Sequence, residues 1–328
     1  MQAHLIAVQA SLKVEDYRDE ASFCGKIDQL TELAVAGLDD GPKLVAFPET
    51  IGFPLLLTLG HYQRVRRQRT AYGAAWQLLK ADWRRVVKVA LERRAFGLDA
   101  LYLARAKEVY GVYQRAFSAA AKAYGVTVVA GTIFLPQLEE EASKGVHVVG
   151  KHVFNTAFSF SPQGRLLDRS YKAYLVPAEA KAKLRGGSPA SVHGFKTPVG
   201  KVGVAICLDG FYGSVIDRMD GLGLDIVVQP SANHVSWRRA WPANPAETEE
   251  SAWFGYGLRA QLQDRLHLRY GVNPMMVGEV FGLKPRGRSS LIVNTRFCPG
   301  QTLEGYKGLL KIAKSDDQEE IVRATVVL

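Results

Sequence analysis

Short runs of strand character recur along this chain, most of them apolar and one, 165–177, polar to basic, and helix-length stretches separate several of them. The runs stand at 4–9, 43–47, 126–131, 152–162, 165–177, 192–197, 201–207, 225–230, 274–280 and 289–294. The run at 201–207 carries Val202, Val204 and Ile206 with small residues between them, a pattern that fits a strand buried on both faces. Helical composition covers 20–37, 55–124, 213–221 and roughly 251–270. Strands alternating with helices predict a mixed α/β fold with sheets covered by helices, and the closely spaced strand pairs predict hairpins. No repeat, low-complexity tract or Pro/Gly/Ser-rich linker divides the 328 residues, so a single domain, 1–328, is expected.

Three of these runs carry a reactive side chain at or near their ends. Cys207 closes the 201–207 strand, and Gly210 and Gly213 behind it allow a sharp turn. Glu49 follows KLVAFP and precedes Thr50 and Gly52; Lys172 lies in the run 165–177. Each residue alone has a bland reading, since most lone cysteines are buried hydrophobes and most loop glutamates are solvated. Together their chemistry fits. A thiol needs a base, a carboxylate can accept its proton, and an ammonium lowers the thiol pKa and stabilises an oxyanion. The backbone N–H of Leu208 is a candidate second oxyanion donor. The three cysteines, Cys24, Cys207 and Cys298, include no CxxC pair, and no HExxH is present. No disulfide framework, metal site or cofactor motif is expected. The opening MQAHLIAVQA has no basic n-region and reads as a first strand; no run of about 18 apolar residues exists. The expected compartment is the cytoplasm.

The stretches LVAFPET, DRSYKAYLVPAE and VGVAICLDG, in that order, resemble the three motif regions of the nitrilase superfamily of carbon–nitrogen hydrolases. DIVVQPSANHVSW and GRSSLIV extend the resemblance to about Asn294. It implies an α/β fold of the four-layer α-β-β-α sandwich type. It also implies a Glu-Lys-Cys triad: Glu49 as general base, Lys172 steadying the tetrahedral intermediate, Cys207 forming a thioester. Glu179, seven residues after Lys172, stands where family members often carry a second glutamate that positions substrate and lysine. The resemblance further implies a homodimer or larger assembly, paired through helices at 213–221 and 251–270. Nitrile-cleaving members typically carry Trp-Glu after the nucleophile, whereas Leu208-Asp209-Gly210 here looks like the amidase and carbamoylase branches. The expected substrate is a small-molecule amide or N-carbamoyl compound. A nitrile is the enzymatic alternative. A catalytically silent binding protein on the same fold is the other, disfavoured by the intact Glu49, Lys172 and Cys207.

The stretch between Glu49 and Lys172 looks longer than usual for such a family, owing to a helical basic insertion around 55–110. Of a net charge of +10, residues 61–95 supply +8: ten Lys/Arg less Asp82 and Glu92. Trp76, Leu79, Trp83, Val86 and Ala90 follow helical spacing, which predicts one apolar stripe with Trp76 and Trp83 on a single face, flanked by Arg84, Arg85 and Lys88. Such a segment is a solvated surface packed on the core, a lid over the cleft, or a basic amphipathic element for an anionic membrane surface or acidic substrate. Nucleic acid is disfavoured, because no nucleic-acid-binding motif accompanies the charge.

Overall fold

Period-two burial in the first strand sets the layering. In Gln2–Gln9, Ile6 and Val8 face one buried cluster, while Ala3, Leu5 and Ala7 face another. Lys43–Ala46 repeats the pattern, with Val45 on one side and Leu44 and Ala46 on the other. Successive side chains point to opposite faces of a strand, so a sheet buried this way is covered on both sides. The computed structural model describes residues 2–141, 145–298, 303 and 307–328.

Among the described residues two large sheets form, beside two small two-stranded ones, Ala240–Trp241 with Asn244–Thr248 and Ser11–Lys13 with Val277–Glu279. In the first, Glu320–Val327, Gln2–Gln9, Lys43–Ala46, Thr127–Glu141, Gly145–Phe160 and Leu166–Tyr171 lie side by side, with Leu184–Arg185 against Gly145–Phe160. In the second the order is Leu309–Ile312, Ser290–Val293, Tyr270–Asn273, Ile226–Val228, Gly200–Val204 and Gly194–Thr197. Its central strands, Gly200–Val204, Ile226–Val228 and Tyr270–Asn273, are parallel and buried, as expected of strands covered on both faces. Gln2–Gln9 packs against Tyr270–Asn273 and Ser290–Val293 across the gap. The small Ala3, Ala7, Ala46 and Ala157 line the first sheet's inner face. Helices Glu20–Val35 and Leu98–Tyr124 cover the first sheet; Gly213–Gly221, Glu249–Tyr256 and Leu258–Leu262 cover the second. The result is a four-layer α-β-β-α sandwich.

Four expectations change. The helical stretch over 55–124 divides further than expected, into Phe53–Thr58, Tyr62–Val65, Ala71–Ala81, Trp83–Arg93 and the later helix Leu98–Tyr124. Its breaks carry their own chemistry: positive φ at Gly60, Arg94 and Gly97, and an N-cap at Thr70 whose hydroxyl accepts the Gly73 N–H. The single apolar stripe therefore splits across two helices meeting at Asp82. Val86 is buried, Leu79 and Ala90 are half-buried, and Trp76 and Trp83 are exposed. The helix over 251–270 breaks at Gly257 and stops at Leu262, and its last residue, Tyr270, begins a central strand. Finally, Glu320–Val327 pairs antiparallel along the whole of Gln2–Gln9, a strand the sequence reading omits.

Candidate active site

Four chain segments deliver the cluster. The regular strand Gly200–Val204 stops before Cys207, but its extended path continues. Ala205 N–H donates to the Val228 carbonyl and Cys207 N–H to the Pro230 carbonyl, both at 2.9 Å. The chain then turns into a 3-10 helix at Cys207–Phe211, with Cys207 itself at φ 50°. A non-glycine residue in that region is strained and is held there by its surroundings. Gln229 Nε2 donates to the Cys207 carbonyl at 2.7 Å, and Asn273 Nδ2 donates to the Gln229 carbonyl at 2.7 Å. Gly210 is required at this turn, since a Cβ would lie 2.2 Å from Gln229 Nε2.

Glu49 follows Lys43–Ala46 in a turn pinned by Thr50, whose N–H donates to Thr132 Oγ1 at 2.8 Å. The neighbouring strand approaches so closely that a Cβ on Gly131 would sit 2.0 Å from the Pro48 carbonyl oxygen. Lys172 follows Leu166–Tyr171, its N–H bonded to the Asn155 carbonyl. Glu179 sits in the short helix Pro177–Lys181, where its carboxylate accepts the Val176 N–H at 2.9 Å.

The structure brings Glu49, Lys172, Cys207 and Glu179 to one place, all buried. Lys172 Nζ donates to Glu49 Oε1 at 2.7 Å and lies 2.9 Å from Glu179 Oε2. Asn155, fully buried, bridges the two carboxylates: its Nδ2 donates to Glu49 Oε1 at 2.8 Å and to Glu179 Oε1 at 2.7 Å. The Ala232 N–H donates to Glu49 Oε2 at 3.0 Å and also faces the Cys207 sulfur. Glu179 is therefore a member of the buried network rather than a solvated helix-start residue. Leu208 occupies the first turn of the 3-10 helix, directly behind the thiol.

The electrostatics follow from burial and the mixed charges. Burial pushes the Cys207 thiol up, Glu49 raises it further, and Lys172 opposes both. Burial disfavours the Lys172 ammonium, but the facing Cys207, Glu49 and Glu179 outweigh it and hold the pKa above the usual lysine value. Glu179 is raised by burial and by Glu49.

Sequence reasoning missed Asn155, Gln229 and Asn273, and read Asp209 only as a marker of substrate class. Asp209 joins two of the segments: its carboxylate accepts N–H groups from Ala173 at 3.0 Å and Tyr174 at 2.8 Å, beside Lys172, and from Ile206 at 3.3 Å, beside Cys207. Burial raises its pKa to about 6, against the pull of those N–H groups. A polar residue inside an otherwise apolar strand run is the available signal for Asn155, Gln229 and Asn273.

A cavity of about 290 Å³ opens over the cluster, lined by Cys207, Glu49, Lys172 and Glu179. Its apolar wall includes Phe53, Leu57, Ala75, Leu101, Tyr102 and Phe134. Helix Ala71–Ala81 of the basic segment supplies Ala71, Tyr72 and Ala75, so this segment stands beside the cleft.

Comparison with known proteins places the chain in a family. The sequence profile of the Carbon-nitrogen hydrolase family matches residues 6–253. Omega-amidase NIT2 of Xenopus tropicalis is 26% identical over 177 residues, 46% of this chain and 59% of that protein. The bifunctional nitrilase/nitrile hydratase NIT4A of Lupinus angustifolius is 25% identical over 219 residues, 66% of this chain and 51% of that protein. The chain thus matches less than two thirds of the length of these curated relatives. In structure, it is similar to a mutant amidase from Nesterenkonia sp. AN1, seen after Michael addition of acrylamide at its active-site cysteine. The TM-score is 0.60 at 12% identity, covering 100% of this chain and 93% of the amidase. At that identity the likeness is one of fold, and the fold is that of nitrilase-superfamily amidases.

Proposed function

The chain belongs to the carbon–nitrogen hydrolase family, and from that premise we propose that it hydrolyses the amide or N-carbamoyl bond of a small molecule through a thioester on Cys207. Glu49 takes the thiol proton as Cys207 Sγ adds to the carbonyl carbon, and returns it to the departing nitrogen. The thiol's raised pKa makes this proton transfer part of the attack, because little thiolate stands ready. The oxyanion meets Lys172 and the Leu208 N–H. An ammonium has three donors. With Glu49 and Glu179 each taking one Lys172 donor, one remains for the oxyanion. Glu179 and Asn155 hold that ammonium in place. Water, deprotonated by Glu49, then opens the thioester and releases the acid.

The observation that carries this reading is the Lys172 ammonium held between two buried carboxylates in the cavity that Cys207 lines. The Leu208-Asp209 pair favours an amide or carbamoyl substrate. The similarity to the Lupinus protein makes nitriles the second class to assay. We also read the chain as one carbon–nitrogen hydrolase domain carrying the helical segment as an insertion, and as a homodimer. The test is ammonia release from primary amides, N-carbamoyl compounds and nitriles. Cys207→Ala is expected to lose at least about a thousandfold in rate while keeping its fold. Mass spectrometry of a slow-substrate reaction is expected to find the adduct on Cys207, not on Cys24 or Cys298. Near-normal turnover by Cys207→Ala excludes this mechanism.

A further inference from the structure

We infer that the cavity takes an uncharged amide with an extended apolar acyl group. This inference rests on the hydrolase reading above and names its substrate class. The cavity's polar groups gather at the Cys207 end, with Glu49, Lys172 and Glu179. Beyond them the wall turns apolar, through Phe53, Leu56, Leu101 and Phe134. A substrate with a second charged end, such as the monoamide of a dicarboxylic acid, needs a cation in that wall. Burying its carboxylate without a partner is costly. Among the described residues, Lys172 is the only Lys or Arg lining the cavity, and Glu49 and Glu179 already hold it. His234, also in the lining, is exposed. The ten Lys/Arg of residues 61–95 are absent from the lining, so they offer an acidic substrate no partner inside it. A volume of about 290 Å³ lies near the lower end of the range for small-molecule sites.

The test is kcat/KM across unbranched primary amides of increasing chain length, beside monoamides of dicarboxylic acids of matching length. The neutral series is expected to rise by roughly fourfold per added methylene until the cavity is full, following the transfer energy of a buried CH₂. Each charged analogue is expected to fall at least tenfold below its neutral counterpart. Ala75→Phe, on the wall contributed by Ala71–Ala81, is expected to lower kcat/KM on the longest amide relative to acetamide by more than tenfold. Equal or better turnover of the charged series overturns the inference while leaving the hydrolase reading intact. If no amide is turned over, the hydrolase reading fails. Calorimetric binding of the two series to Cys207→Ala then still decides the cavity, tighter binding of the charged series overturning the inference.

A different observation carries a second inference. Trp76, Trp83, Val87, Leu91 and Phe96 are exposed at 58%, 55%, 46%, 73% and 73%. Trp83, Val87 and Leu91 lie four residues apart on Trp83–Arg93 and so share one helix face. Exposed cations border them: Lys80 over the Trp76 ring at 5.2 Å, Arg84 over Trp83 at 5.5 Å, then Lys88 and Arg94. We propose that this face docks on an anionic lipid bilayer. The exposed aromatic and aliphatic groups enter the interface, and the cations meet the headgroups. A second copy of the chain is the poorer occupant, because two such +8 segments repel each other. The test is co-sedimentation with phosphatidylcholine vesicles, with and without phosphatidylserine, at low and high salt. Sedimentation with anionic vesicles alone is expected. It is expected to weaken at high salt, in Arg84→Gln/Lys88→Gln, and in Trp83→Ser/Leu91→Ser. No sedimentation, equal sedimentation with neutral vesicles, or self-association lost in the Trp83→Ser/Leu91→Ser variant overturns it.

Discussion

Each residue of the buried cluster has its charge set by the others, and single substitutions can separate their roles. Glu49 raises the Cys207 thiol pKa, second only to burial. Glu49→Gln keeps the shape and removes the charge, so the thiol pKa falls while the base is lost. Amide turnover is expected to drop by at least about a hundredfold. Alkylation of Cys207 by iodoacetamide at neutral pH is expected to speed up. Slower alkylation in this variant contradicts the proposed electrostatics. Asn155 touches two carboxylates and is placed as a positioning residue. Asn155→Leu removes two charge-assisted hydrogen bonds, each of which contributes about 1.5–3 kcal/mol. The expected result is a lower Tm and a fall in kcat with KM little changed, because Lys172 loses its fixed aim; a fall confined to Tm leaves Asn155 a structural residue only. Glu49 and Cys207 were legible because each follows an apolar strand run, and Lys172 through the motif stretch DRSYKAYLVPAE. Asn155 was not, because the bonds that explain it cross 106 positions to Glu49 and 24 to Glu179.

At the level of elements, hydrophobic period marked most strands up to Val228 but missed Tyr270–Asn273, Leu309–Ile312 and Glu320–Val327, and it marked the helix ends poorly. The long helix Leu98–Tyr124 ends at Gly125, as its sequence suggests. The short helices before it are set by tertiary contacts. Asp82 ends one helix and begins another while pairing with His61 and with Arg105, a buried residue on Leu98–Tyr124 that also donates to the Leu59 carbonyl. Such a junction has no local signature. Nor does the strand Tyr270–Asn273, whose partners Ile226–Val228 and Ser290–Val293 are distant in sequence. A testable link joins the sheets as well. His193, just before Gly194–Thr197 of the second sheet, bonds through Nε2 to Asp168 of the strand that delivers Lys172, at 2.5 Å. The hydrogen bond to Asp168 raises the His193 pKa from 6.5 to about 9, against partial burial. The folded pKa lies above the unfolded one. The pair's stabilising effect is therefore fully present below the unfolded value and lost as pH rises through about 9. The imidazole is half in solvent, so the effect is modest. Thermal melts of the wild type and His193→Gln are expected to differ most below neutrality and to converge above that upper value; a gap that persists there excludes the ion pair as its source.

At the scale of the whole molecule, the two outer layers differ in what they expose. The basic, apolar face sits on Trp83–Arg93, which packs against Leu98–Tyr124 on the first sheet's side. The layer over the second sheet carries other exposed apolar groups, Tyr212, Leu222, Tyr256 and Leu266, at 39%, 43%, 43% and 59%. They lie on or beside Gly213–Gly221, Glu249–Tyr256 and Leu258–Leu262, the layer through which the superfamily resemblance predicts pairing. The segment following Leu258–Leu262 is held firmly: Leu266, His267 and Leu268 all donate backbone N–H groups to the Asp220 carboxylate, at 3.0, 2.7 and 3.1 Å. A rigid apolar face of this kind suits a two-fold contact, in which each residue meets its own or a neighbouring counterpart. Because lipid docking uses the opposite layer, a dimer leaves both basic faces free. Light scattering at micromolar concentration is expected to give twice the chain mass of 36.1 kDa. Leu266→Glu places two like charges in the contact and is expected to return the protein to a monomer that still folds. A wild-type monomer mass, or a Leu266→Glu dimer of unchanged affinity, removes this face as the interface.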